Sequence, residues 1–142
     1  MALYFHNADH GFRCPQRRSI RKWALRLTEE HKKTAGDLSV IFCTDQYLLK
    51  MNQDHLKHDY YTDIITFDYS EGQEISGDLF ISVDRVRDNA KTSNSLFFNE
   101  LLRVIAHGHL HLLGYNDKDR TEQKEMRVQE DRWVASFQNY CS

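Results

Sequence analysis

The chain has 142 residues, 40% of them apolar and 28% charged, which suits one globular domain spanning residues 1–142 with its own hydrophobic core. No apolar run is long enough for a membrane span and the first residues lack the pattern of a secretion signal, so we expect a cytoplasmic protein with no membrane partner. The net charge of -2 excludes a globally basic nucleic-acid binder, and three cysteines without metal-ligand spacing exclude a cysteine-built zinc site.

The first predicted elements are a short strand at residues 3–6 and a helix at residues 15–31, which Pro15 suits as an opening residue. The buried stripe of this helix is expected at Ile20, Trp23, Ala24 and Leu27. Residues 13–33 carry eight basic side chains against two acidic ones. A solvated surface is the simpler interpretation of this charge, and attraction of a polyanion is the functional one.

Strands rich in branched and aromatic residues are predicted at residues 38–43, 63–69 and 77–83. Thr44 is expected to cap a short helix that runs through Met51. Residues 84–92 are expected to be helical. Residues 59–84 hold seven acidic side chains and no basic one, so their charge is opposite to that of the first helix.

Residues 96–113 form the longest apolar segment, and its apolar positions fall nearly all round a helix, which predicts a central buried helix. Gly114 can end that helix with a left-handed turn, and a polar helix is predicted at about residues 121–137. Strands interleaved with helices predict an α+β fold, similar to α/β folds, with a small mixed four-stranded sheet and about five helices.

The segment that carries candidate chemistry contains His107 and His111, four residues apart on one helix face. Two imidazoles on successive turns can reach one metal ion, and the chain reversal at Gly114 lets Asp117 supply a third ligand. Three protein ligands leave a fourth position for water, the pattern of a catalytic zinc site. The alternative interpretation is a pair of histidines with no metal, on the surface or buried in an apolar helix.

Two neighbours of this segment are excluded as direct ligands. His109 lies about 200° round the helix from His107 and is expected in the core. Glu100 lies on the ligand face but about 10 Å back along the axis, which favours an indirect or structural role. The spacing resembles the metzincin-like pattern H-E-x-x-H-x-x-G-x-x-H, but Gly108 stands where a zinc peptidase needs its glutamate base.

Residues 107–117 resemble the signature H-G-x-L-H-L-x-G-Y-D-H of the YbeY endoribonucleases, the bacterial rRNA maturation factors. The matching residues are His107, Gly108, Leu110, His111, Leu112, Gly114 and Tyr115. Supporting matches are Asn52 followed by residues 62–67, similar to the family's T-D-V-L-S-F strand, and residues 77–82, similar to its G-D-I strand. Together the three matches cover roughly residues 38–117.

The chain departs from the family pattern at two positions. The family's usual third ligand is histidine, whereas this chain has Asp117, which implies a His2Asp site that is harder and more anionic. The family also carries an arginine, taken to contact the RNA phosphate, where this chain has Leu56. Lys57 is the candidate substitute and the only further catalytic candidate, although a solvated loop lysine is an equally simple interpretation.

The resemblance implies one zinc ion in a cleft, single-stranded RNA as substrate, and action at the 3′ end of small-subunit rRNA. It also implies a part in ribosome assembly and quality control, with the small ribosomal subunit or its proteins as partners. The candidate RNA contacts are Arg17, Arg18, Arg21, Lys22 and Lys57. Tyr60, Tyr61 or Tyr115 could stack on bases, although packing is the simpler role for each.

Three functional hypotheses follow. The first is metal-assisted hydrolysis of RNA phosphodiester bonds by a zinc ion bound to His107, His111 and Asp117, with the general base unassigned. The second is a ribosome-binding assembly factor in which the zinc ion is structural and there is no catalysis. The third is a zinc peptidase, which Gly108 disfavours.

Overall fold

The computed structural model describes residues 2–9, 11–58 and 61–141. Within these ranges the chain forms the following elements, in order: β1 (Ala2–Asn7), α1 (Arg17–Glu30), β2 (Thr34–Cys43), α2 (Asp45–Leu56), β3 (Ile64–Asp68), β4 (Glu74–Ser82), α3 (Val83–Thr92), α4 (Phe97–Leu112), α5 (Arg120–Ser136) and a 3-10 helix (Phe137–Tyr140).

The strands form one mixed sheet in the order β1-β2-β4-β3. Strands β1, β2 and β4 are parallel, and β3 pairs antiparallel with β4 at the end of the sheet. The predicted α+β fold, with a four-stranded mixed sheet and five α-helices, is therefore confirmed. The topology leaves β3 as an edge strand, with one side of its backbone facing away from the sheet.

Several predicted boundaries differ from the observed ones. Helix α1 begins at Arg17 rather than Pro15, because Gln16 before it adopts a left-handed conformation with φ 54°. Strand β2 begins at Thr34, four residues earlier than predicted, because the parallel pairing with β4 extends that far. Helix α2 continues past Met51 to Leu56, and its predicted cap at Thr44 is confirmed, since the Thr44 hydroxyl accepts from the backbone N–H of Tyr47.

The predicted start of α3 also differs from the observed one. Val83 was predicted to end β4 but begins α3, because the hydroxyl of Ser82 accepts from the backbone N–H of Arg85 and caps the helix there. Helix α5 starts at Arg120, where the Asp119 carboxylate accepts from the backbone N–H of Glu122 in the same way. In both caps one side-chain oxygen accepts from the backbone N–H three residues later. This local hydrogen bond favours a helix start and competes with strand propensity.

Helix α4 packs closely against the sheet, as its apolar sequence predicts. A Cβ atom on Gly108 would lie 2.7 Å from Ile64 Cδ1 and 2.9 Å from Leu79 Cδ2, so only glycine allows this approach without a shift of those side chains. The close contact brings the C-terminal end of α4 beside the edge strand β3. No helix in the described part of the chain, α4 included, is long and apolar enough to cross a membrane.

The predicted stripe of α1 is buried in the core that α4 and α5 share. Trp23 is fully buried, and its indole N–H donates to the carbonyl of Trp133 on α5 at 2.8 Å. The ring of Phe137 packs edge-on against Trp23, with centroids 5.6 Å apart. These contacts tie the C-terminal helix to the first one and set its position against α4.

Candidate metal centre

The last two turns of α4 and the loop after them bring three candidate ligands together. His107 and His111 lie one turn apart on α4. Gly114 has φ 107°, a conformation that favours glycine, and the backbone N–H of Tyr115 donates to the carbonyl of Leu110. This tight reversal returns the chain towards the helix, so that Asp117 faces both histidines.

The distances among the three side chains are short and nearly equal. The Nε2 atoms of His107 and His111 are 3.0 Å apart. Asp117 Oδ2 lies 3.3 Å from His107 Nε2 and 3.4 Å from His111 Nε2. Donor atoms bound tetrahedrally to zinc, at bond lengths near 2.0–2.1 Å, are separated by about 3.3 Å. The three side chains therefore form a cluster whose spacing fits one metal ion.

The hydrogen bond at Nδ1 of each histidine ring explains why its Nε2 faces the other histidine. His107 Nδ1 lies 2.6 Å from Glu130 Oε2, and His111 Nδ1 lies 2.9 Å from the carbonyl oxygen of Tyr115. Both partners accept hydrogen bonds only, so both Nδ1 atoms carry the proton. Both Nε2 lone pairs then point at each other and at the carboxylate of Asp117. A cation is the group that satisfies three such acceptors at once.

Glu130, on α5, is a further candidate site residue that the sequence analysis missed. Its side chain is only 7% exposed, and Arg103 Nη1 lies 3.3 Å from its other carboxylate oxygen. Burial disfavours the charged form of His107, but the hydrogen bond and charge of Glu130, together with Asp117 and Asp63, outweigh it and raise the pKa of His107. A signal was present, because Glu130 lies on the same stripe of α5 as the buried residues Met126 and Trp133.

A second chain of hydrogen bonds supports His111. The Nδ1–H of His31, at the end of α1, donates to the carbonyl of Leu27 at 2.9 Å. Its Nε2 then accepts from the hydroxyl of Tyr115 at 3.0 Å. Since the Tyr115 carbonyl accepts from His111, the end of α1 anchors the loop that orients this histidine. Tyr115 thus makes a structural contact through its hydroxyl and its ring.

The cluster lies in a cleft of about 620 Å³. The residues that line it besides the three candidate ligands are Asn52, Leu56, His58, Thr62, Asp63, Ile64, Ile65, Thr66, Asp68 and Leu112. Asp63 is half-buried, and burial raises the pKa of its carboxyl, although the charge of His107 opposes this. The amide of Asn89 donates to Asp63 Oδ2 at 3.3 Å. The strand β3 and the end of α2 form the walls of this cleft.

The structure also locates the other residues that the sequence singled out. His109 is buried in the core, where its Nε2–H donates to the hydroxyl of Thr28 at 2.8 Å, as expected for a residue that points away from the cluster. Glu100 approaches Arg103 at 3.9 Å, and it is Glu130 that contacts His107. Burial raises the pKa of the Glu100 carboxyl.

Lys57 lies at the C-terminal end of α2 in a left-handed conformation with φ 56°, and it is exposed. Its neighbours Leu56 and His58 line the cleft, whereas Lys57 does not. Tyr61 also lies outside the cleft lining, because Gln46 donates to its hydroxyl and the guanidinium of Arg85 lies over its ring. Tyr60 lies outside the described residues.

The basic candidates on α1 lie far along the helix from the three candidate metal ligands. His31, which follows the C-terminal end of α1, is beside Tyr115, whereas Arg17 and Arg18 are in the first turn. At a rise of 1.5 Å per residue, His31 is about 14 Å along the axis from Lys22 and about 21 Å from Arg17. Arg21 already uses part of its guanidinium within the protein, since its Nε–H donates to the carbonyl of Leu3.

Comparisons with known proteins identify the family that this chain resembles. Residues 5–138 match the family model described as Endoribonuclease YbeY. The chain is 50% identical over 130 residues to an Endoribonuclease YbeY of Cytophaga hutchinsonii, with 91% of each protein covered. It is 45% identical over 141 residues to that of Parabacteroides distasonis, with 99% of each covered.

The fold is similar to a solution structure of a Thermotoga maritima protein, with a TM-score of 0.63 and 24% sequence identity. That match covers 95% of this chain and 88% of the other. At this level of identity the likeness supports the fold alone.

Proposed function

The chain belongs to the YbeY endoribonuclease family, and from this we propose that it is a zinc-dependent enzyme that hydrolyses phosphodiester bonds in single-stranded RNA. The observation that carries the proposal is the convergence of His107 Nε2, His111 Nε2 and Asp117 Oδ2 within a cleft large enough for a substrate. Relatives that match nearly the whole chain carry the name endoribonuclease, which supports RNA as the substrate.

His107, His111 and Asp117 are the residues that would hold the metal. Two imidazoles and one carboxylate suit zinc, and the single carboxylate makes the set somewhat harder than a three-histidine site. A zinc ion in such a site supplies Lewis-acid chemistry, stabilising negative charge on a phosphate and making nearby water more acidic. Glu130 and the Tyr115 carbonyl hold the two rings so that both Nε2 atoms face the cleft.

The RNA strand would lie in the cleft between the metal cluster, β3 and the end of α2. Thr62, Asp63 and Asn52 line this space and can position the hydroxyls of a sugar by hydrogen bonds. His58 also lines this space, two residues after Leu56, which stands at the position of the family's arginine. The general base stays unassigned, and Lys57 has no place in the cleft lining.

We place the basic side chains of α1 outside the cleft, as contacts for the RNA backbone beyond the scissile bond. Arg13, Arg17 and Arg18 line a separate depression of the surface at the start of α1. Phosphate contacts of this kind are salt-dependent, and each one lost reduces the slope of log affinity against log salt by about 0.7 for a single strand. The double variant Arg17→Gln, Arg18→Gln is therefore expected to weaken binding more at low salt than at high salt.

The biological role follows from the family resemblance. We propose that the substrate is the 3′ end of small-subunit rRNA, that the enzyme acts in the cytoplasm, and that the small ribosomal subunit or its proteins are its partners.

The test is cleavage of single-stranded RNA by the purified zinc-loaded protein. His111→Ala is expected to abolish cleavage, whereas His6→Ala, which removes an exposed histidine on β1, is expected to leave it unchanged. Elemental analysis of the same preparations should give about one zinc per chain in the wild type and less in His111→Ala. Equal cleavage by the wild type and His111→Ala would contradict the proposal that this site hydrolyses RNA.

Thermal melts with and without chelator separate the enzyme from a binding factor with a structural zinc ion. If the wild type binds zinc but cleaves no RNA, and chelator lowers its melting temperature sharply, the zinc is structural and the binding factor is the correct function. The enzyme predicts cleavage that returns when zinc is restored to the chelated protein.

A further inference from the structure

The free edge of β3 presents backbone groups to the cleft. In the pairing with β4, the backbone N–H of Ser82 donates to the Asp63 carbonyl and that of Tyr69 donates to the Ser76 carbonyl. In an antiparallel ladder the hydrogen-bonded residues alternate, so residues 63, 65, 67 and 69 bond to β4. The N–H and C=O groups of Ile64, Thr66 and Asp68 therefore point away from the sheet.

The outward carbonyl of Ile64 already has a partner. It accepts from the hydroxyl of Thr62 at 3.3 Å. No hydrogen bond joins the outward N–H and C=O groups of Thr66 and Asp68 to another residue in the described ranges. Two donor–acceptor pairs, about 7 Å apart along the strand, are thus left for a ligand.

These two pairs face the same cleft as the metal cluster. Side chains of successive strand residues point to opposite faces of a sheet, and Ile64 packs towards α4 while Ile65 packs in the cluster under α2. Ile64, Ile65, Thr66 and Asp68 all line the one cleft that also holds His107, His111 and Asp117. A cavity that touches residues from both faces must run along the edge of the strand.

The charge of this strand selects the part of an RNA that can lie beside it. Residues 59–84 contain seven acidic side chains and no basic one, and Asp63 and Asp68 are on or next to β3. Phosphates are repelled from such a surface, whereas the edges of the bases are neutral and carry N–H donors and N or O acceptors. Every base has both a hydrogen-bond donor and an acceptor on its Watson–Crick edge.

We propose that the backbone edge of Thr66 and Asp68 binds the Watson–Crick edges of unpaired bases next to the scissile bond. This inference rests on the proposed RNA hydrolysis and adds a reason for selectivity. Bases in a duplex have these edges occupied by their partners, so a paired strand cannot satisfy the free N–H and C=O groups of β3. The edge strand therefore selects unpaired RNA by hydrogen bonding. This selection does not depend on whether a duplex is too wide for the cleft.

The first experiment follows backbone amide signals by NMR in the zinc-loaded wild-type protein. The probe is a short 2′-O-methyl oligoribonucleotide, whose integrity is checked by mass spectrometry after the titration. The outward amides of Thr66 and Asp68 should shift and become protected from hydrogen exchange. The inward amides of Ile65 and Phe67, which bond to β4, serve as internal controls and should change little.

The second experiment compares Thr66→Pro with Thr66→Ala. Proline removes the outward N–H and is tolerated on the free side of an edge strand, whereas alanine removes the same side-chain groups and keeps the N–H. Loss of one such hydrogen bond should lower kcat/KM for single-stranded RNA by about tenfold in Thr66→Pro relative to Thr66→Ala. A melt checks that both variants fold, and if Thr66→Pro does not, the NMR experiment on the wild type decides.

The third experiment changes the substrate. A single-stranded RNA whose bases are methylated on the Watson–Crick edge cannot form these hydrogen bonds but remains unpaired. We expect the wild type to cleave it about as poorly as the annealed duplex. The inference is wrong if the methylated strand is cleaved efficiently. It is also wrong if the amide signals of Thr66 and Asp68 do not shift in a saturated complex. Neither result contradicts the proposed RNA hydrolysis. A wild type that neither binds nor cleaves any RNA instead overturns the proposed function.

Discussion

Glu130 Oε2 lies 2.6 Å from His107 Nδ1, so a buried carboxylate on α5 sets the orientation of a candidate metal ligand on α4. The carboxylate accepts the Nδ1 proton and directs Nε2 towards His111 and Asp117. Arg103, 3.3 Å from the other oxygen of Glu130, keeps the buried charge paired. The packing of the C-terminal helix is in this way coupled to the chemistry of the cleft.

Glu130→Gln is expected to weaken zinc binding by about 10- to 100-fold. Glutamine has the same shape but no charge, and its amide can donate to Nδ1, which places the proton on Nε2 where it blocks the metal. Competition with a chromophoric chelator measures the affinity. Glu125→Gln, the same charge change at an exposed position of α5, is the control and should bind zinc as the wild type does. Equal affinities in all three proteins would show that Glu130 does not orient His107.

Asp117→His is expected to increase the preference of the site for zinc over manganese. Imidazole is a softer ligand than carboxylate and favours zinc, whereas carboxylate oxygen suits manganese. The Asp117 side chain is 40% exposed, so the larger ring fits without entering the core. Elemental analysis after loading from an equal mixture of both ions gives the ratio, with Lys118→His in the same loop as control. An unchanged ratio in Asp117→His would mean that Asp117 is not a ligand.

His109 is expected to make the metal-free protein less stable as pH falls from about 6.5 towards 4. Burial, reinforced by the nearby His31, lowers the pKa of His109 from 6.5 to about 4. The folded protein keeps this ring neutral, whereas the unfolded chain takes up a proton below pH 6.5, so the unfolded state is favoured in that interval. At 1.36 kcal/mol per pKa unit the full loss is about 3 kcal/mol.

The measurement for His109 is the free energy of unfolding in urea at a series of pH values, with chelator present throughout. His109→Asn keeps a donor for the hydroxyl of Thr28 but does not titrate, so its stability should fall less steeply over the same range. Parallel pH curves for the wild type and His109→Asn would contradict the prediction.

Gly108→Glu, which restores the sequence pattern of the zinc peptidases, is expected to destabilise the protein by about 3 kcal/mol or more and to confer no peptidase activity. The new side chain would enter the apolar contact with Ile64 and Leu79, where there is no room and no partner for a carboxylate. Gly11→Glu is the control, since a Cβ at Gly11 meets no atom within 4 Å. Urea denaturation compares the two variants, and equal stabilities would show that α4 can move away from the sheet.

Much of the fold could be predicted because its signals are local. The apolar pattern of α4, the cap at Thr44 and the glycine turn at Gly114 each depend on residues within a few positions of one another. The boundaries that were wrong have two kinds of cause. The first residues of β2 are a strand because of a long-range pairing with β4. Val83 is helical because the local cap at Ser82 outweighs the strand propensity of the segment.

The sequence by itself determined that His107 and His111 share a face of one helix and that a carboxylate follows the glycine turn, because helical periodicity and backbone freedom at glycine are properties of neighbouring residues. Only the tertiary structure decided which side chains complete the centre. Glu130 reaches His107 because α5 packs on α4, and β3 exposes its backbone to the cleft because it is the last strand of the sheet. Such contacts join residues that are far apart in the chain, and their formation depends on how apolar faces pack, which no single stretch of sequence specifies.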